Sequence, residues 1–198
     1  TRIGGKMKGL DMVLLTSLEM GLIFSIMAMG VMLTYKTLKI SDLSVEGTFP
    51  LGAFIFARLI TMGMGLGSSM VWSVIGGALG GLITYILFKK FNIDALLSGI
   101  LTMTALYSLN LRITGSSNVA LFDKPSIFNT NNMPITLILL VIVLTIKIFL
   151  DWFFKTEKGY LLKTTGDNQK LVRSLGQNPN KFILLGLMLA NALGSLSG

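Results

Sequence analysis

Any chemistry in this chain must come from carboxylates, hydroxyls, amides and amines, because its 198 residues include no Cys and no His. Thiolate nucleophiles, disulfides, most zinc sites and imidazole proton transfer are thereby excluded. The sequence also holds no G-x-x-x-x-G-K-[ST] loop, no G-x-S-x-G elbow and no H-E-x-x-H pair. GGKMKG near the start resembles a phosphate loop only superficially, since Met7 stands where a hydroxyl residue is needed. If ATP is used, another chain must bind it.

Three polar groupings remain. The first is ISDLSVEGTFPLGAF at 40–54, where Asp42 and Glu46 fall among the helix disturbers Gly47, Pro50 and Gly52. Charge and broken backbone are both costly in hydrocarbon, so each needs a reason to be there. The residues admit two readings. One is an interfacial loop followed by a helix capped at Thr48 with Pro50 in its first turn. The other is an interrupted span in which Ser44, Glu46 and Thr48 border a translocation path, with Glu46 facing an ammonium group or a structural partner.

The second grouping is DALLSGILTMTALYSLNLR, in which Thr104, Tyr107, Ser108 and Arg112 recur at offsets of three or four and share one helical face. Ser98, Thr102 and Asn110 add further polar groups. Hydroxyls in such a helix commonly bond to backbone carbonyls or to a neighbouring helix. Thr104, Tyr107 and Asn110 are the candidates for a pore-facing role.

The third grouping is EKGYLLKTTGDNQKLVRSLGQNPNK. Gly166 is expected to break the chain, Asp167 or Asn168 to cap a helix from Gln169 to Leu175, and Gly176 to end it in the left-handed conformation. Asn178 and Pro179 have the form of a cap and first-turn proline for the next helix. Leu171, Val172 and Leu175 would then be available to a partner, with Lys170 and Arg173 on the rest. By itself such a turn is also what rests on anionic headgroups.

These groupings are positioned by a membrane bundle. Hydrophobic residues make up 52% of the chain, charged residues only 13%, and the mean hydropathy is +0.73, against a charged share of about 25% in soluble domains. Apolar runs cover 12–34, 49–60, 70–88, 95–111, 135–154 and 182 onward, most approaching the roughly 17 to 25 residues of a spanning helix. The run 49–60 climbs only about 18 Å, so part of SDLSVEG must lie at membrane depth or the segment is re-entrant. The net charge of +8 reads as topology and not as nucleic-acid binding. Alternating the spans places ten cations on one side and five, including Arg2 and Lys124, on the other. The 155–181 loop is thus cytoplasmic and the N-terminus outside. GGALGG at 76–81 carries overlapping small-xxx-small pairs and predicts close helix packing.

GYLLKTTGDNQKLVRSLGQN resembles the cytosolic loop of the branched-chain amino-acid and sugar group of ABC-transporter permeases. There a G-x-x-x-R-A-x-G-x-N pattern precedes a coupling helix; Gly159, Lys163, Thr164, Gly166 and Asn168 occupy those places, with Lys for Arg and Thr for Ala. ISDLSVEGTFPLGA is similar to the D-L-[ST]-V-[DE]-G-[ST]-F segment, and LLSGILTMTALYSLNLRITG to the fourth-span segment, of a subgroup associated with tryptophan or tyrosine uptake. The resemblance runs from about the first span to Gly198 and implies further spans beyond it.

The resemblance implies an all-α polytopic membrane domain over 1–198, of about six spans with an interrupted second span, in the cell membrane. It implies a permease subunit of an importer for amino acids or related small solutes, paired with a second permease subunit as a homodimer. A cytosolic ABC ATPase would bind ATP and Mg, and an extracytoplasmic binding protein would deliver substrate. No catalytic, cofactor or metal residue is expected in this chain. The competing classes are a nucleotide-independent channel or secondary transporter, and a membrane scaffold; the capped loop helix and the polar fourth span count against the scaffold.

Overall fold

The computed structural model describes residues 2–114 and 135–198, and all its elements among them are helical. In chain order they are α1 (Arg2–Met32), α2 (Ser44–Thr61), α3 (Leu66–Tyr85), α4 (Ala95–Thr114), α5 (Ile135–Lys155), α6 (Glu157–Asp167), α7 (Gln169–Ser174) and α8 (Pro179–Ser197). Among the described residues, five stretches are long and apolar enough to cross a bilayer: Val13–Thr37, Leu66–Lys90, Ala95–Ile113, Ile135–Lys155 and Pro179–Ser197. The all-α membrane bundle expected from the sequence is therefore found. Lys124, counted in the topology, lies outside the described residues.

α1 and α3 end alike. Each finishes in one wide π turn, Leu33–Thr37 and Ile86–Lys90, and then places a non-glycine residue in the left-handed region, Lys39 at φ 56° and Asn92 at φ 53°. The orphan carbonyls of these ends are taken up locally: Leu38 and Ile40 donate to Leu33 (3.2 Å) and Thr34 (3.0 Å), and Phe91 and Ile93 to Ile86 (3.2 Å) and Leu87 (3.2 Å). After each corner an aspartate accepts a backbone N–H at the start of the next helix. Asp42 Oδ1 accepts the Ser44 N–H at 2.8 Å, and Asp94 Oδ2 accepts that of Leu96 at 3.0 Å.

The hub of the bundle is α8, which packs on α1, α2 and α3. Its neighbours approach through glycines with no room for a side chain: Gly77 faces the Asn191 carbonyl and Ser195, Gly81 faces the Leu187 carbonyl, and Gly30 faces that of Ala190. The close packing predicted for GGALGG is thus found in two directions, because Gly76 and Gly80 face Ile55 and Thr48 of α2. At the end where α1, α5, α6, α7 and α8 converge, Leu33, Leu38, Leu150, Leu162, Val172, Ile183 and Leu187 form a buried apolar cluster. The opposite situation holds on the perimeter, where Val13, Leu14, Trp72, Leu79, Val141 and Ile148 are exposed. That is the arrangement of a chain whose outer solvent is hydrocarbon.

One sequence reading is corrected here. A helix capped at Thr48, with Pro50 in its first turn, is not formed; α2 already begins at Ser44 and Pro50 lies inside it. Proline brings no N–H to the turn, so the Glu46 carbonyl loses its usual intrahelical partner.

Candidate functional site

The segment before α2 folds back into the bundle and ends on Asn191 of α8. Asn191 is fully buried, and its amide is satisfied at both ends. Nδ2 donates to Asp42 Oδ2 at 3.2 Å and to the Leu187 carbonyl at 3.0 Å. Oδ1 accepts from Ser44 Oγ at 3.0 Å and lies 3.0 Å from Thr48 Oγ1. The carboxylate also sits at the N-terminal end of α2, where aligned peptide dipoles favour negative charge. A buried polar network pays its desolvation cost only when every member has a partner, and this node meets that condition at Asp42, Ser44, Thr48 and Asn191.

The node fixes depth. Asn191 lies about 18 Å along α8 from Pro179, and Gly30, against the neighbouring Ala190, lies about 10 Å along α1 from Thr37. The chain therefore leaves α1 at one end of the bundle, re-enters it through 38–43, and starts α2 well inside. The short apolar run of the second span has this cause.

The polar residues on α2 divide by face. Ser44 and Thr48, one turn apart, point into α8 and are fully buried, whereas Glu46 is exposed. The expectation that Ser44 and Thr48 border an open path is corrected by this placement: their hydroxyls hold the helix start to Asn191. On α4 the division is similar. Ser98, Thr102, Leu106 and Asn110 form the buried face, and Thr102 Oγ1 lies 3.0 Å from Thr84 Oγ1 of α3. Thr104 and Tyr107 lie on the exposed face, so they are not brought together with Asn110 as a common lining. Thr104 Oγ1 is engaged with the carbonyls of Ile100 (3.1 Å) and Leu101 (2.9 Å), as hydroxyls in apolar helices commonly are.

The loop between α5 and α8 is two helices. Thr156 caps α6 through the Gly159 N–H at 3.3 Å. Asn168 is extended, at φ −153° and ψ 98°, and its Oδ1 accepts from Lys170 (3.0 Å) and Leu171 (3.2 Å), so it is the cap of α7. Gly176 follows at φ +74°, the left-handed stop that the sequence predicts. Asn178 likewise caps α8, accepting from Asn180 at 3.0 Å with Pro179 in the first turn.

Three readings of the loop change. Gly166 does not break the chain but lies within α6, where a Cβ would strike the Thr37 carbonyl and Leu38 Cα. Asp167 is not the cap; its carboxylate pairs with Lys39 Nζ at 2.8 Å. That ammonium, by hydrogen bond and charge, holds the Asp167 carboxyl below the ordinary carboxylate range. Val172 is not available to a partner, being fully buried in the chain's own apolar cluster, while Leu171 and Leu175 are about half exposed.

Sequence reasoning missed Asn191, although a lone carboxamide inside an apolar run is the available signal. It also missed Lys39, whose left-handed backbone no local residue pattern announces.

The chain belongs to the branched-chain amino acid transport system permease component family, whose model matches residues 13–198. It is a multi-pass membrane protein. It is 45% identical over 185 residues to a tyrosine transport system permease protein of Clostridioides difficile (strain R20291), covering 93% of this chain and 62% of that one. It is 35% identical over 191 residues to an uncharacterized protein of Rickettsia prowazekii (strain Madrid E), covering 94% of this chain and 66% of that one. The chain thus spans less than two thirds of either relative's length. No solved structure matches it significantly.

Proposed function

We propose that this chain is the permease part of an ATP-driven amino-acid importer, with tyrosine or a related aromatic amino acid as cargo. The observation that carries the reading is α7, a short helix with its own cap and stop, joined through α6 and α8 to two apolar helices and leaving Leu171 and Leu175 exposed beside Lys170 and Arg173. A helix held this way is suited to receive motion from a docked protein. Similarity to a tyrosine transport system permease supports the choice of cargo.

In this reading the end bearing Lys36, Lys39, Lys89, Lys90, Lys155, Lys163, Lys170 and Arg173 is cytoplasmic. A cytosolic ATPase docks on α7 and supplies ATP and Mg. A second permease subunit completes the path, and an extracytoplasmic binding protein delivers substrate. Glu46, Thr104 and Tyr107 are the exposed polar side chains of α2 and α4 proposed to border that path, and Asn110 supports it from the buried face.

Reconstitution of the transporter with its ATPase and binding protein tests this. Uptake of labelled tyrosine should require ATP and the binding protein. Uptake by the permease without nucleotide would instead mark a channel or secondary transporter.

A further inference from the structure

Resting on the reading of α7 as the ATPase contact, we infer that the Gly166–Asp167 end of α6 is a strut through which motion of α7 is delivered to the start of α2. Four observations lie in sequence along this route. Asp167 and Gly166 immediately precede Asn168, the cap of α7. The Gly166 backbone rests on the Thr37 carbonyl and Leu38 Cα with no space for a Cβ. Beside it, Asp167 binds the Lys39 ammonium at 2.8 Å. From Lys39 the chain needs only three residues to reach Asp42, whose carboxylate accepts the Ser44 N–H at 2.8 Å and the Asn191 amide at 3.2 Å.

Each link is stiff for a stated reason. Backbone-to-backbone packing at Gly166 has no side chain to absorb a displacement. The corner is closed by the Leu38-to-Leu33 and Ile40-to-Thr34 hydrogen bonds, 3.2 and 3.0 Å. Lys39 is held at φ 56°, a conformation that L residues avoid unless their surroundings impose it. The Lys39–Asp167 pair is solvent-exposed, 61% and 56% by side chain, and such pairs add little stability. Its part is to set register between two backbones already in contact. Gly166, Asp167 and Lys39 are therefore positioning residues, acting on Glu46 through the start of α2.

The strut has a second consequence for α7. Val172 is anchored in the cluster with Ile183 and Leu187 of α8, so the short helix is held directly by α8 and, through the adjoining end of α6, by the corner. A pull at Leu171 or Leu175 then moves both, and the two meet again at the Asn191 node. Thus α8 and the corner both act on the start of α2, through Asn191 and Asp42.

Two measurements on the assembled transporter test the inference. Gly166→Ala should keep the ATPase bound at unmodified stoichiometry while substrate transported per ATP hydrolysed falls about fivefold or more, the lower end of usual coupling energies. An unchanged ratio overturns the strut. The second measurement does not depend on that variant folding. These 198 residues hold no Cys, so spin labels at Lys36→Cys and Lys163→Cys, on the two sides of the contact, report on it once any Cys elsewhere in the assembled transporter is replaced and labelled subunits are diluted with unlabelled ones. Their distance distribution should be the same in nucleotide-free and ATP-trapped states; a shift between the states shows that the contact opens, and overturns the inference. If the unmodified transporter shows no ATP-dependent import, the proposed function fails; ATP-dependent import with a label distance that shifts on ATP trapping overturns the strut alone.

Discussion

The Asn191 carboxamide nitrogen lies 3.2 Å from Asp42 Oδ2, joining two residues far apart in sequence at a point deep inside the bundle. Through this contact a carboxylate is made tolerable away from water, and the helix that bears Glu46 acquires a fixed starting depth. Asn191→Leu should therefore lower thermal stability in detergent by about 1–3 kcal/mol, the usual cost of stranding buried polar partners. Asp42→Asn keeps the shape and one acceptor, so it should cost less. Equal melting temperatures for wild type and Asn191→Leu would show that the node does not bear on stability.

Helix contacts through glycine predict a contrast between positions. Gly81→Ala puts a methyl against the Leu187 carbonyl, whereas Gly67, in the first turn of α3, has open space around its would-be Cβ. Overpacking of this kind typically costs about 1–3 kcal/mol. Membrane abundance and melting temperature should fall for Gly81→Ala and stay level or rise slightly for Gly67→Ala.

On α7, the exposed and buried leucine-like residues should separate two phenotypes. Leu175→Ala should reduce ATPase co-purification while leaving permease abundance normal. Val172→Ala should instead lower abundance, by the roughly 1 kcal/mol per lost methylene scale of core truncation. Asn168→Ala, losing a cap worth about 1 kcal/mol, should weaken docking less than Leu175→Ala. Charge reversal at Lys170 and Arg173 outweighing Leu175→Ala would point to α7 resting on lipid headgroups instead.

Glu46 is exposed on α2 while Ser44 and Thr48 are buried beneath it. Glu46→Gln should lower tyrosine uptake and leave assembly with the ATPase intact; near-normal uptake would remove Glu46 from the path. Ser44→Ala should act on stability first, because its hydroxyl bonds Asn191 at 3.0 Å.

The Lys39–Asp167 pair has a defined pH window. Its ammonium depresses the Asp167 pKa from the ordinary 3.8, so the pair's contribution is fully present above that value and is lost as pH falls through the depressed folded pKa. The stability difference between wild type and Asp167→Asn should therefore be constant near neutrality and shrink only in strong acid. High salt should shrink it as well, since both side chains face solvent. A difference that grows on acidification would contradict the assignment.

Much of the fold was legible in the chain because membrane burial writes itself locally. Long apolar runs, cations at their ends, Gly176, and the Asn168 and Asn178 caps each depend on a few adjacent residues, and hydrocarbon leaves helix as the only local solution for a single span. The short second apolar run was legible for the same reason, since a run too short to cross advertises that something else must reach into the bilayer; the interruption expected there is not found within α2, which is one unbroken helix from Ser44 to Thr61. Which faces turn inward was decided by tertiary structure alone. Ser44, Thr48 and Val172 look as available as Glu46 or Leu175 in sequence, and only the packing of α2 on α8 at Asn191 and Gly194, and of α7 into the apolar cluster, sends them inside. Gly166 and Asp167 read as a break and a cap because nothing local shows that Thr37 and Lys39 lie against them. Helical periodicity assigns residues to faces by turn angle, but what each face meets depends on packing between segments distant in sequence, and that information exists only in the assembled bundle.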